Sequence, residues 1–373
     1  MNDNPNSLLH DMAQNYRVCL ADFPSNLEPA QLDVPTGEQA SVFAGLSTLH
    51  SVIGKIYDHF SQLATGDRHW EDREYCYQAI ESPVKLLYGL GLLGQLVQGS
   101  DGLELKQSRE VLDPAIKKIG CKDPVKAFSV LESAEFKVVY YSVDGLPGPG
   151  GYKKCTAVAV SYPPHNDPLL RALAYFTKRL PQKKAGRKEK GVILEVFLRA
   201  DFRPLLPGYT YHIPHLPATE DEVTRTLNPN TLELWKALTG YMSEYFPQYQ
   251  LYYRVPWLRS CRWTADYSTK ENDYGLWSIF VEEAGLSVRI VLIDGTIQNM
   301  LDHVGELSPQ FQENYLNAVA CKDCSHCGKH VFYTHADHIH KLCKSPWFAS
   351  PYLSMDDLPD IERLIDFRLA PLP

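Results

Sequence analysis

DPVKAFSVLESAEFKVVYYSVDGLPGPGGYKKCTAVAVSYPPHNDPLLRALAYFTKRL, running from Asp123 to Leu180, sets the fold class. Asp123 is a capping residue and Pro124 suits a first helical turn, so the run to Phe136 predicts a helix. FKVVYYSV is β-branched and aromatic, the composition of a strand. DGLPGPGGY is turn-rich, TAVAVSY predicts a second strand, and NDPLLRALAYFTKRL a capped helix. The order is helix, strand, strand, helix. Without repeated strand–helix alternation, α+β is favoured over a doubly wound parallel sheet.

Upstream, residues 1–37 show little periodicity and predict an irregular arm with a short helix near Leu8–Tyr16. Then Val42, Leu46, Leu49, Ile53, Ile56, Phe60 and Leu63 step by alternating fours and threes, which keeps all seven on one stripe of a helix. This stripe reads as a buried core face; the alternative is a self-pairing seam in a homodimer. A second helix is expected within Glu71–Gln98, with Pro83 interrupting or restarting it.

Gly89, Gly91 and Gly94 match the G-x-G-x-x-G pattern of a dinucleotide site, which needs a strand before it and a helix after it. KLLY precedes the glycines, and only four residues separate Gly94 from Gly99, too few for a crossover helix. The glycines therefore predict a packed helix or its end.

Downstream, seven basic residues and one acid fall between Lys178 and Lys190, a solvated loop or an anion-binding patch. No aromatic is interleaved for base stacking. VILEVFLRADF predicts a strand returning to the same sheet. NTLELWKALTGYMSEYF is an amphipathic helix. LYYRV, CRWTADY, LWSIFVEE and LSVRIVLID predict successive strands, the last two joined by a tight Ala-Gly turn. Short helices are expected near Thr296–Val304 and Pro309–Ala320, and DDLPDIERLIDFRL closes the sequence as a helix with acids crowding its start.

These boundaries give an irregular arm (1–37), a helical domain (38–120), two small α+β domains with mainly antiparallel sheets (121–218 and 219–320), and a cysteine-rich segment with a C-terminal helix (321–373). With 373 residues the chain exceeds one ordinary core. Its 44% apolar and 22% charged content is globular, and a net charge of −8 disfavours nucleic acid as a partner. No apolar run approaches the roughly 18 residues a membrane span requires, and the N-terminus lacks the basic start and apolar core of a secretory signal. Cys19, Cys76, Cys121, Cys155 and Cys261 are scattered and odd in number, unlike a secreted disulfide framework. A reducing, cytoplasmic location is expected.

The remaining four cysteines crowd into CKDCSHCGKHVFYTHADHIHKLC, residues 321–343, with five histidines. Cys324 and Cys327, two residues apart and followed by Gly328, have the form of a zinc knuckle. VFYT and HIHKL predict a small hairpin with Ala336-Asp337 at its tip, which carries the chain back to His340 and Cys343. Cys324, Cys327 and Cys343, with either Cys321 or His340, then form a tetrahedral structural zinc site. A redox pair of Cys324 and Cys327 is the weaker reading, because a Gly and a β-like run follow rather than a helix. A catalytic zinc lacks the H-x-E and P-C-x-x-C pairing of the deaminases.

CSHCGKHVFYT, HKLCKSPWF and DDLPDIERLIDFRL together resemble the ending of uncharacterised bacterial proteins in which a cysteine-rich hairpin precedes a final helix; the knuckle is similar to that of zinc-ribbon proteins. The resemblance covers roughly the last 55 residues and implies a metal-binding hairpin but no activity. No catalytic motif is present, and neither G-x-S-x-G nor H-E-x-x-H occurs. The sequence therefore favours a binding or regulatory protein with an unknown ligand or protein partner. The rival is an enzyme with a pocket between the two α+β domains, using Arg199, Asp201 and Arg203; His212 and His215 lie in a polar segment nearby.

The metal expectation is open to direct test. Cys327→Ser should lose zinc and loosen residues 321–345 while the N-terminal regions stay folded, because metal binding supplies what a few aromatics cannot. Of Cys321→Ser and His340→Ala, only one should sharply lower the zinc content measured by atomic absorption.

Overall fold

The computed structural model describes residues 5–60, 73–99, 102–148, 150–163, 166–180, 187–208, 219–225, 227–257, 262–269, 277–282, 285–291, 297–319, 330–335, 338–343, 347–350 and 352–369. Chain contacts divide it into two compact units, Met1–Tyr211 and His212–Pro373.

The first unit begins with α1 (Pro5–Val18), α2 (Thr36–Phe60) and α3 (Arg73–Leu93), followed by the strands β1 (Gln95–Gly99) and β2 (Gly102–Ser108). Helices α4 (Arg109–Lys118) and α5 (Pro124–Ser133) lead to β3 (Lys137–Tyr141), the short α6 (Gly151–Lys154), β4 (Ala157–Ser161), α7 (Asn166–Arg179) and α8 (Arg187–Leu198). The sheet is antiparallel throughout, in the order β1-β2-β4-β3. Valines and leucines on one face (Leu105, Val158, Val160) are buried beneath the helices.

Asp123 caps α5 by accepting a 3.2 Å hydrogen bond from the Lys126 amide, as its sequence predicts. On α2, the described stripe residues Val42, Leu46, Leu49, Ile53, Ile56 and Phe60 are all buried; Leu63 lies outside the described residues. The chain's own helices cover the face that suggested a self-pairing seam, α7 most extensively. Gly45 permits this approach, because a Cβ there would overlap the Pro168 carbonyl of α7 and lie 2.8 Å from the Ala172 Cβ.

Several expectations change. The helix expected near Leu8–Tyr16 is present as the longer α1, with an irregular stretch after it, and it has a buried face: Leu9, Met12, Ala13 and Tyr16 are buried, and the Tyr16 hydroxyl donates a 2.7 Å hydrogen bond to Glu81 of α3. Glu81 also pairs with Lys85 at 2.6 Å. α3 runs through Pro83 without ending. A hairpin, β1–β2, stands inside the region expected to be wholly helical, and β2 pairs with β4, so one sheet spans the boundary expected at residue 120. The run expected as a returning strand is helix α8. Its apolar residues are too few for periodicity to separate a strand from a buried helix, and Val196, Phe197 and Leu198 are buried together.

The second unit holds α9 (Glu220–Thr224), α10 (Pro229–Tyr245), β5 (Gln250–Trp257), β6 (Arg262–Ser268), β7 (Trp277–Glu282) and β8 (Gly285–Val291). It continues with α11 (Ile297–Asp302), α12 (Pro309–Val319), β9 (His330–His335), β10 (His338–Cys343), β11 (Trp347–Ala349) and α13 (Leu358–Leu369). Its five-stranded sheet is antiparallel, in the order β11-β8-β7-β6-β5. The four strands expected here are present; β11 is an unforeseen edge strand. One face carries Trp277, Ile279, Val288 and Ile290 into the core with Trp235 and Leu238 of α10. The other carries a cross-strand row of Asp266, Ser278 and Arg289, in which the Ser278 hydroxyl donates to Asp266 and accepts from Arg289 at 3.4 Å. Among the described residues no helix is long and apolar enough to cross a membrane.

Gly→Ala in a helix normally stabilises by roughly 0.5–1 kcal/mol. Gly45→Ala should instead destabilise by more than about 1 kcal/mol, since α2 and α7 must part or strain. Gly240→Ala on α10, where nothing lies within 4 Å of the added methyl, should stabilise. Urea melts of the two variants check the opposite signs.

Candidate functional site

The sheet of the first unit has a second face, and β4 determines its depth. Val158 and Val160 face the helices, which leaves Ala157 and Ala159 on the opposite side, where successive strand residues must fall. The register aligns Gln95, Lys106, Ala159 and Val139 in one row across all four strands. Tyr141 of β3 lies in the next row beside Ala157, and Lys137 pairs with Ser161.

The alanines are low enough for Tyr141 to reach over β4. Its hydroxyl donates a 3.3 Å hydrogen bond to Glu104 of β2, and the Lys106 ammonium stands 3.7 Å above its ring. The tyrosine thus links β3 to β2 across the strand between them. Burial, and then the neighbouring Glu104 carboxylate, hold the Tyr141 phenol above its ordinary range, so it remains a donor. On the other side of Glu104 stands Gly99, where a Cβ would overlap the Glu104 carboxyl group and lie 2.6 Å from its Cγ. A side chain there would push the carboxylate out of its place.

Above this face is an open cavity of about 520 Å³, whose lining includes Val97, Gly99, Glu104, Lys106, Lys137, Val139, Tyr141 and Pro147. That volume lies in the range of small-molecule sites. Glu104 is only 6% exposed although it lines the cavity. No ion pair joins it to Lys106 among the described residues. The loop that supplies Pro147 also carries Val143 and Leu146, which are 89% and 62% exposed. Sequence reasoning missed this site. Its signal was a period of two, with Glu104 and Lys106 in GLELK, Lys137, Val139 and Tyr141 in KVVYY, and alternating alanines in AVAV.

Cys321, Cys324 and Cys327 lie outside the described residues, as do His212 and His215. The backbones of His340 and Cys343 belong to β10, opposite Tyr333 and His330 of β9. The two strands pair antiparallel from His335 and His338 to His330 and Cys343, the hairpin that the sequence predicts; its tip at Ala336-Asp337 lies outside the described residues. No group of three metal-ligating side chains occurs among the described residues, a set that leaves out Cys321, Cys324 and Cys327 and the side chains of His340 and Cys343. The four described cysteines of the first unit, Cys19, Cys76, Cys121 and Cys155, are buried, and burial pushes Cys121 up to about 12.

Arg199, Asp201 and Arg203 all belong to the first unit and brace it. Asp201 is fully buried, and Arg203 binds both of its oxygens at 2.8 and 2.6 Å. Arg199, also buried, donates to the Cys19 carbonyl at 3.0 Å and ties α8 to the end of α1. The G-x-G-x-x-G run ends α3: added Cβ atoms would meet Ile116 at 3.1 Å from Gly89, and Leu173 and Thr177 at 2.8 and 2.9 Å from Gly91. These glycines serve close helix packing, as the sequence reading expects. Comparison of the chain with family models, curated proteins and solved structures finds no match.

The Tyr141–Glu104 bond predicts an energetic coupling. Tyr141→Phe should cost about 1.5 kcal/mol, the low end for a bond to a charged group, because cavity water can replace the phenol. In a Glu104→Gln background the same substitution should cost measurably less. A double-mutant cycle by urea denaturation checks this; zero coupling would show that the bond contributes nothing.

Proposed function

We propose that this chain is a binding protein whose ligand occupies the open sheet face of the first unit, and that a structural zinc holds its C-terminal cysteine-rich segment. One observation carries the ligand half: Glu104 is nearly removed from water yet lines a cavity, beside a lysine with which it forms no ion pair. Buried charges are ordinarily paired within the protein. The metal half rests on the spacing of Cys321, Cys324, Cys327, His340 and Cys343 and on the hairpin between them. The binding role, a cytoplasmic location and the absence of nucleic acid from its partners form one reading with the net charge of −8 and the scattered, odd-numbered cysteines outside the C-terminal cluster.

Native mass spectrometry of the full chain, purified reduced and without chelator, tests both halves. The expected species carries one zinc and a small-molecule adduct that disappears on denaturation. Lys106→Met should lose the adduct and keep the zinc, whereas Cys327→Ser should lose the zinc and keep the adduct. A wild-type protein that carries neither would overturn the reading.

A further inference from the structure

Resting on that reading, we infer that the cavity binds a small zwitterion with an apolar body, an amino acid or short peptide whose ammonium meets Glu104 and whose carboxylate meets Lys106. Three features of the site select this class. A carboxylate offers only acceptors, about four lone-pair positions on two oxygens, and Tyr141 supplies one long hydrogen bond to them. Glu104 therefore asks for a strong donor, and its charge makes a cationic donor the best. Lys106 offers the converse. Its ammonium has three N–H donors and no acceptor, and the tyrosine ring engages one side of it. Its remaining donors suit an anionic group.

The two charged groups project from alternate residues of one strand and both meet Tyr141, the carboxylate 3.3 Å from its hydroxyl and the ammonium 3.7 Å above its ring, so one compact zwitterion can reach both. Val97, Val139 and Pro147 supply the apolar surface against which the body of such a ligand would lie. A plain anion would satisfy Lys106 but bring its charge toward Glu104. A plain cation would meet the reverse conflict with Lys106 and with Lys137, which also lines the cavity. A ligand of both signs answers Glu104 and the lysines together.

Isothermal titration calorimetry on the full chain tests the class with named probes. L-Leucine and L-leucyl-L-leucine represent the two sources. N-acetyl-leucine and N-acetyl-leucyl-leucine lack the ammonium; leucinamide and leucyl-leucinamide lack the carboxylate. At least one free form should bind, and both of its blocked forms should bind at least tenfold more weakly. Whichever free form binds more tightly identifies the source. Glu104→Gln, close to isosteric, should erase the preference for a free ammonium, and Lys106→Met the preference for a free carboxylate; circular dichroism confirms that each variant is folded. If the acetylated form binds as well as the free one, the zwitterion is refuted while a binding cavity remains. If no probe binds at millimolar concentration, this inference falls, and the adduct measured by native mass spectrometry decides separately whether the cavity holds a ligand at all.

Discussion

The two-faced strand β4 is the constraint on which the first unit depends. Its valines must be large, because α7 and α3 lie over the same face of the sheet and leave Val158 and Val160 buried. Its alanines must be small, because Tyr141 crosses them to reach β2. A bulkier residue at Ala159 would lift the tyrosine, and with the ring would go the support beneath the Lys106 ammonium and the phenol that fills part of Glu104's hydrogen-bonding capacity. Core packing and the shape of the cavity are therefore two sides of one five-residue strand.

The same logic of small residues operates twice more. Gly45 lets α2 lie against the α7 backbone, which fixes the helical layer, and Gly99 lets the Glu104 side chain lie against β1. The first glycine serves stability and the second serves the site. Neither needs the left-handed backbone that usually calls for glycine; each is required by what a Cβ would strike.

Legibility in the sequence followed the range of the interactions. The Asp123 cap, the α2 stripe, the α10 and α13 helices and the β7–β8 hairpin are specified within a few residues, and each was readable. α8 was not, because a short apolar run buried beside several helices carries no decisive period. The β1–β2 hairpin was masked by its placement directly after a helix rich in glycine, although Gly99 and Gly102 mark its turn. The cavity was the least legible feature. Glu104 and Tyr141 are separated by 37 positions and meet only because β4, later in the chain than both, inserts between their strands. No local pattern announces that insertion. What was visible, charged residues alternating with apolar ones along β2 and β3, is equally the pattern of a strand with one solvated face.

Two buried glutamates in the first unit show why a partly matched charge points to a ligand. Glu81 sits in the helical layer with both oxygens engaged, by Tyr16 at 2.7 Å and by Lys85 at 2.6 Å, so its charge is answered by the protein itself. Such a group fastens α1 to α3 and asks nothing of the solvent. Glu104 is nearly as buried, 6% exposed against 3%, but its one bond from the protein is longer, and the nearest lysine on its strand is held over a tyrosine ring instead of paired with it. Desolvating a carboxylate costs several kcal/mol unless opposite charge and hydrogen bonds offset it. At Glu81 the offset is built in. At Glu104 the protein supplies less of that offset, and the proposed ligand would complete it. The asymmetry between these two residues, more than the volume of the cavity, is the physical argument for binding on this face.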